Sequence, residues 1–307
     1  MERIGIYGGT FNPPHIGHIT AAAQAVETLQ LDKLLLIPDR IAPHKQLPGN
    51  SATPEQRLDM LRIAAKGCPK AEVSDMELRR EGISYTYLTV EQLRKEYPQA
   101  KLYLLMGTDM FLSFLSWKEP ERILQHVTLA VMYRGDKGEA AAIEAQKAKM
   151  EALGAEIALV KNDVVNISST QMRRLLAFRC AGELLPEGVL DYIREHRLYD
   201  TRAPWKNLPM EELEKVVISL LNPNRVAHVL GCRDTAVELA RHWGADENDA
   251  ARAGILHDIT KAIDGPLQLT LCEAYGKLLS AFSRRYPKTL HALTGSLVAE
   301  RIFGENE

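Results

Sequence analysis

The sequence predicts two architectures in one chain, an α/β portion built on a mostly parallel sheet and then an all-α portion. Three observations carry this. Short apolar runs alternate with helical patterns over residues 1–200, strand signals stop after Pro186, and the periodicity is helical throughout from Met210 onward. Strands that alternate with helices need right-handed crossovers and therefore pair in parallel. A chain of 307 residues is also long enough for two cores.

In order, IGIY (4–7), LLLIP (34–38), LYLLM (102–106), TLAVMY (128–133) and EIALV (156–160) read as buried strands. Helical stretches lie between them at His15–Leu29, Pro54–Ala65, Thr86–Glu96, Pro120–Leu124 and Glu139–Leu153, and 186–199 reads as a closing helix. These make a first domain of residues 1–200. TRAPWKNLP (201–209) carries two prolines and reads as a linker. EELEKVVISLL, VAHVLGCRDTAVELARHW, ENDAARAGILHDITKAI and ALTGSLVAERIF then give a helical domain over 210–307.

Composition excludes several classes. Hydrophobic residues make up 46% and charged residues 25%, within the ordinary globular range. The formal net charge of −2 gives no basic field for nucleic acid. MERIGIYGG lacks a basic, apolar and small-residue leader, and no apolar run approaches a bilayer span. Cys68, Cys180, Cys232 and Cys272 are far apart with no CxxC spacing, which fits reduced thiols in a cytoplasmic protein.

GIYGGTFNPPHIGH (5–18) concentrates glycine and proline directly before a helix. Gly8 and Gly9 permit positive φ and leave no Cβ between backbone and ligand. Pro13 and Pro14 stiffen the approach. A helix that starts near His15 turns its free N–H groups toward the loop, and such an end attracts phosphate. His15 and His18, three apart, share one helical face, where both rings can meet one anion. The stretch matches neither the GxxxxGK[ST] loop nor GxGxxG. ISSTQMRR (167–174) offers a second capped helix N-terminus, with Ser168, Ser169 and Thr170 as hydroxyl donors and Arg173 one turn inside.

GGTFNPPHIGH resembles the HxGH signature of the nucleotidyltransferase superfamily, in the version of bacterial nicotinate-mononucleotide adenylyltransferases. Four further stretches follow in family order: PHK (43–45), SYT (84–86), GTD (107–109) and Trp117 in LSWKEPERIL; ISSTQMR closes the set. The resemblance covers roughly residues 1–200 and implies a Rossmann-like nucleotidyltransferase domain that transfers AMP from ATP to nicotinate mononucleotide, giving deamido-NAD and pyrophosphate with Mg²⁺. It assigns catalysis to His15, His18, Lys45 and Arg173. ATP would meet Gly8, Gly9, Thr10, Phe11, His18, Gly107, Asp109, Ser168, Ser169, Thr170 and Arg173. The acceptor nucleotide would meet Thr10, His15, Lys45, Thr86 and Trp117, the last by stacking on the pyridinium ring. Class I aminoacyl-tRNA synthetases share the histidine motif but add a KMSKS-type loop, absent here; pantetheine-phosphate adenylyltransferases usually differ at TFNPPH.

In the second half, HDxxK (His257, Asp258, Lys261) joins His228 and His291, each on its own helical stretch. Neighbours on a helix diverge by ~100°, so one ion can be shared only from between helices. The order resembles the HD phosphohydrolase superfamily, most closely the small bacterial hydrolases that split diadenosine tetraphosphate symmetrically. That implies metal ligands His228, His257, Asp258 and His291 and iron or another divalent transition metal. Family members continue past LHxxxG with further histidines and a late aspartate, whereas this sequence ends at Glu307. The expectation is thus an incomplete HD domain with weak metal binding and impaired hydrolysis. The alternative is a monofunctional adenylyltransferase with a structural helical appendage, and a homodimer is compatible with either.

Overall fold

The computed structural model describes residues 1–43, 47–133, 137–162 and 167–305. It divides into two compact units, one of Met1–Met172 with Gly182–Tyr199 and one of Arg173–Ala181 with Asp200–Glu307.

The first unit runs β1 (Arg3–Gly9), α1 (Ile16–Thr28), β2 (Lys33–Pro38), α2 (Pro54–Ala65), β3 (Ala71–Val73), α3 (Met76–Arg79), α4 (Thr86–Glu96), β4 (Lys101–Gly107), α5 (Thr108–Leu112), α6 (Pro120–Leu124), β5 (Val127–Tyr133), α7 (Lys137–Ala152) and β6 (Ile157–Lys161). The start of α8 (Ser169–Ala177) follows, and α9 (Val189–Glu195) closes it. The sheet is parallel throughout, in the order β3-β2-β1-β4-β5-β6. Strand order therefore reverses between β1 and β4, and ligands of open α/β sheets collect beyond the carboxyl ends of the strands at such a point. Ile4, Ile6, Leu104, Leu129 and Val131 belong to one buried cluster on one face, and the successive burial of Leu34, Leu35, Leu36 and Ile37 shows that the sheet is covered on both faces.

Five strands follow the apolar runs. β3 is a three-residue edge strand, AEV, too short and too polar to signal itself. α2 begins where its chemistry dictates: Thr53 Oγ1 accepts from Gln56 N–H, the Gln56 side chain accepts from Thr53 N–H, and Pro54 fills the first turn. The closing stretch is helical only over Val189–Glu195; Arg197, Tyr199 and Asp200 all have positive φ, which reverses the chain.

The second unit takes the tail of α8 and then α10 (Met210–Leu220), α11 (Val226–Trp243), α12 (Glu247–Leu256), α13 (Gly265–Ala274), α14 (Ala281–Arg285) and α15 (His291–Val298). α11 and α12 cross closely at Gly254, where a Cβ would stand 2.7 Å from the Arg233 Cα. Residues 201–209, expected as a linker, are anchored in this unit. The ring of Trp205 stacks on Phe303 with centroids 5.7 Å apart, Asn207 N–H donates to the Phe303 carbonyl at 2.8 Å, and Arg252 donates to the Leu208 carbonyl. Among the described residues, no helix is long and apolar enough to cross a membrane.

Candidate active site and metal centre

In the first unit, Gly8 and Gly9 are still β-ladder residues, paired with Ile37 and Pro38. Neither has positive φ; that conformation falls instead on Phe11, at φ 46°. The glycines serve through their missing side chains. A Cβ on Gly8, or on Gly107 at the end of β4, would meet nothing within 4 Å, so both backbones face open space at the switch point. A cis Asn12–Pro13 bond turns the chain toward α1. Asn12 is buried, accepts from Tyr199 Oη at 2.6 Å and donates to Ser51 Oγ at 3.0 Å.

His15 caps α1, and its N–H donates to His18 Nδ1 at 3.2 Å. With Nδ1 acting as acceptor, the proton of the His18 ring lies on Nε2. The two rings stack with centroids 3.6 Å apart. Their environments differ. His18 is partly exposed, whereas His15 is 3% exposed, its Nδ1 is buried without a partner, and burial lowers its pKa to about 3. His15 is thus a neutral imidazole that caps α1 and stacks on His18.

The Thr10 hydroxyl donates to Asp39 Oδ2 at 2.7 Å. Arg57, wholly buried, donates to the Thr10 carbonyl at 2.7 Å, to Asp39 Oδ1 at 3.1 Å and to the Asp39 carbonyl at 2.7 Å. The sequence signals this Arg57–Asp39 clamp only by an arginine within the apolar stripe of α2, beside Leu58 and Leu61.

α8 adds a second helix N-terminus to the same loop. Ser168 and Gln171 exchange reciprocal capping bonds, and Ser169 Oγ donates to the Pro13 carbonyl at 3.1 Å. Thr170 and Arg173 follow on that helix, Arg173 at the start of the second unit. Asp109 is exposed in the first turn of α5, Thr86 opens α4, and Trp117 is half-buried against Phe114 with centroids 5.3 Å apart. Lys45 lies outside the described residues. A surface cavity of about 550 Å³ bordered by Glu72, Asp75 and Arg80 shares no lining residue with this loop.

In the second unit, the three helical segments carrying His228, His257 and His291 converge. Asp258, buried at 3% exposure, is the hub: its carboxylate lies 3.6 Å from His228 Nε2, 3.5 Å from His257 Nε2 and 4.0 Å from His291 Nε2. His257 Nδ1–H donates to the Gly254 carbonyl at 2.8 Å and His291 Nδ1–H to the Lys288 carbonyl at 3.2 Å, which aims both Nε2 lone pairs inward. α12 ends at Leu256, so His257 and Asp258 sit on the turn that follows rather than on the helix. Thr260 draws the chain out of helix there, donating to the His291 carbonyl at 2.9 Å. The donor set fits a borderline divalent ion. Two cations share the site. Arg225 pairs with Asp258, and the Lys261 ammonium donates to His291 Nε2 at 3.1 Å. Desolvation, followed by the charge of Arg225, lowers the pKa of His228.

Residues 6–175 match the cytidylyltransferase-like family. The chain belongs to that family. A Pseudomonas syringae pv. tomato relative named "Probable nicotinate-nucleotide adenylyltransferase" is 39% identical over 216 residues, covering 66% of this chain and 95% of the relative. A Borreliella afzelii protein of the same name is 37% identical over 198 residues, covering 64% and 96%. The chain is thus a member of the nicotinate-nucleotide adenylyltransferase family. The fold likeness extends to a solved Plasmodium falciparum nicotinic acid mononucleotide adenylyltransferase complexed with NaAD, with a TM-score of 0.55 and 19% identity over 66% of this chain and 99% of that one. Residues 225–306 match the HD domain, a class that holds a divalent metal.

Proposed function

We propose that the first unit transfers the adenylyl group of ATP to nicotinate mononucleotide and releases pyrophosphate. One observation carries this reading: at the β1/β4 switch point, beneath open backbone at Gly8 and Gly107, a helix N-terminus carries His18 with its Nδ1 anchored by the His15 N–H. The family's small-molecule substrates suit such a site. A phosphate monoester has its second pKa near ~6 and attacks as a dianion, so the reaction needs no general base. The protein's task is to position two anions and stabilise charge on the phosphorus and the leaving group.

In this reading His18 Nε2–H and the first-turn amides of α1 donate to the α- and β-phosphates. The hydroxyls and amides of Ser168, Ser169 and Thr170 hold the triphosphate from α8. Gly9 and Phe11 border the adenosine, Asp109 takes ribose hydroxyls or the water shell of Mg²⁺, and Thr86 and Trp117 hold the acceptor nucleotide. Lys45 and Arg173 supply fixed positive charge, which Mg²⁺ supplements when bound to ATP. Measuring pyrophosphate release with nicotinate mononucleotide, its nicotinamide analogue and phosphopantetheine in parallel tests the assignment. Preference for either of the last two overturns the substrate; no release with any overturns the reaction.

For the second unit we propose a metal-dependent phosphohydrolase, with a dinucleoside polyphosphate such as diadenosine tetraphosphate as substrate. His228, His257, Asp258 and His291 would hold iron or another divalent transition metal, whose chemistry is activation of water against a bridging phosphate. A second reading, a structural appendage, draws support from Arg225 on Asp258 and Lys261 on His291, because these cations satisfy donors without an ion. Metal content and diadenosine tetraphosphate cleavage separate the two. Free thiols throughout the described residues suit a cytoplasmic setting.

A further inference from the structure

We infer that Cys232 is a thiolate donor in the metal site of the HD unit, alongside His228 and His257. The inference rests on the reading of that unit as metal-binding and adds a ligand outside the His/Asp set. Cys232 follows His228 by one turn of α11, so both side chains leave the same helical face. The Cys232 Sγ lies 3.7 Å from His228 Nε2, and the donor atoms of His228, Cys232 and His257 all lie within 4.8 Å of one another. Bond lengths of ~2.0–2.1 Å to nitrogen or oxygen and ~2.3 Å to sulfur around a tetrahedral ion place donors ~3.3–3.6 Å apart. The separations of 3.7 Å (Sγ to His228), 3.6 Å (His228 to Asp258) and 3.5 Å (His257 to Asp258) are close to that spacing. His228, Cys232 and His257 can therefore meet one ion with side-chain adjustment, and Asp258 lies beside both histidines.

Charge supports the same conclusion. The Asp258 carboxylate is already shared with Arg225, so histidines and Asp258 alone offer a dication little net negative charge. A thiolate supplies it, the thiol proton leaving to solvent on binding. The sulfur is also reachable, since a shallow groove of about 530 Å³ along α11 is bordered by His228, Gly231, Cys232 and Thr235. Cys68, Cys180 and Cys272, in contrast, are buried. A soft donor shifts preference toward zinc and cobalt and away from magnesium and manganese.

Cobalt(II) titration of the full chain tests this. Wild-type protein should show d–d absorption together with a near-ultraviolet thiolate-to-cobalt charge-transfer band. Cys232→Ser should keep d–d absorption, lose the charge-transfer band and bind cobalt ~10–100-fold more weakly in chelator competition, a loss at least as large as outer-shell substitutions produce. A circular-dichroism melt checks that the variant is folded. On unmutated protein, zinc should slow alkylation of Cys232, read by peptide mass spectrometry, and a chelator should restore it. Cobalt bound with d–d bands but no charge-transfer band, or alkylation unaffected by zinc, overturns the thiolate ligand and leaves the metal reading standing. Failure of wild-type protein to take up cobalt or zinc overturns both.

Discussion

Replacing His15 with asparagine should remove much of the acid sensitivity of the first unit. The His15 ring is 3% exposed, and burial lowers its pKa from an ordinary 6.5 to about 3. The folded state therefore keeps His15 neutral while the unfolded chain takes up a proton below about pH 6.5. The unfolded state binds more protons across that window, so stability rises with pH between about 3 and 6.5 and falls as acid is added. Each unit of pH within the window corresponds to about 1.4 kcal/mol, so at pH 5 the His15 contribution is lower by roughly 2 kcal/mol than at neutrality. His15→Asn keeps a good helix-capping residue without a titrating ring. Urea unfolding followed by Trp117 fluorescence, with Trp205 and Trp243 changed to Phe in every variant, reports on this unit. The wild type should lose about 2 kcal/mol more than His15→Asn between pH 7.5 and pH 5. Equal losses in the two proteins would refute a buried neutral imidazole.

Three further outcomes follow from the site. His18→Ala should lower kcat for pyrophosphate release by ~10²–10³ with KM little changed, the usual cost of one donor aimed at transition-state charge; a loss under tenfold counts against its role. Arg57→Met leaves the Asp39 carboxylate without its partner and should destabilise the first unit by about 3–5 kcal/mol, with Asp39→Asn recovering part of that in the double variant; urea midpoints at constant m-value measure both. Trp117→Ala should raise KM for nicotinate mononucleotide and leave KM for ATP near its starting value; equal changes in both would remove the stacking role.

Much of the sheet was legible because a parallel strand buried on both faces is an uninterrupted apolar run, as in LLLIP and TLAVMY. β3 carried no such run, since an edge strand of AEV buries too little to need one. Capping chemistry was also visible at α8, whose first turn Ser168 caps. Spacing correctly put His15 and His18 side by side, but spacing carries no depth, and the lowered pKa of His15 comes from depth. The Arg57–Asp39 clamp was hidden for a related reason: its partners are 18 residues apart and meet only once β2 and α2 have folded. Cys232 stands four residues after His228, a spacing that puts both side chains on one helical face.

The buried, neutral His15 bears on how the proposed phosphate chemistry is divided. A neutral imidazole cannot offset the charge of two approaching anions, so the loop at β1 contributes orientation. His18 Nε2–H has a fixed direction because its Nδ1 is held, and that Nδ1 is held because His15 caps α1 at the same point. The loop is fixed in turn by Asn12 with Tyr199, by Ser169 on the Pro13 carbonyl, and by Arg57 on Thr10 and Asp39. Such over-determination suits a site whose donors must already point at developing charge, since preorganised dipoles cost no reorganisation when the reaction occurs. In the proposed mechanism, fixed positive charge comes from Lys45, Arg173 and the magnesium that arrives with ATP. It follows that substitutions at the tip should act mainly on kcat, whereas substitutions at the cations should act on nucleotide affinity and on its dependence on salt.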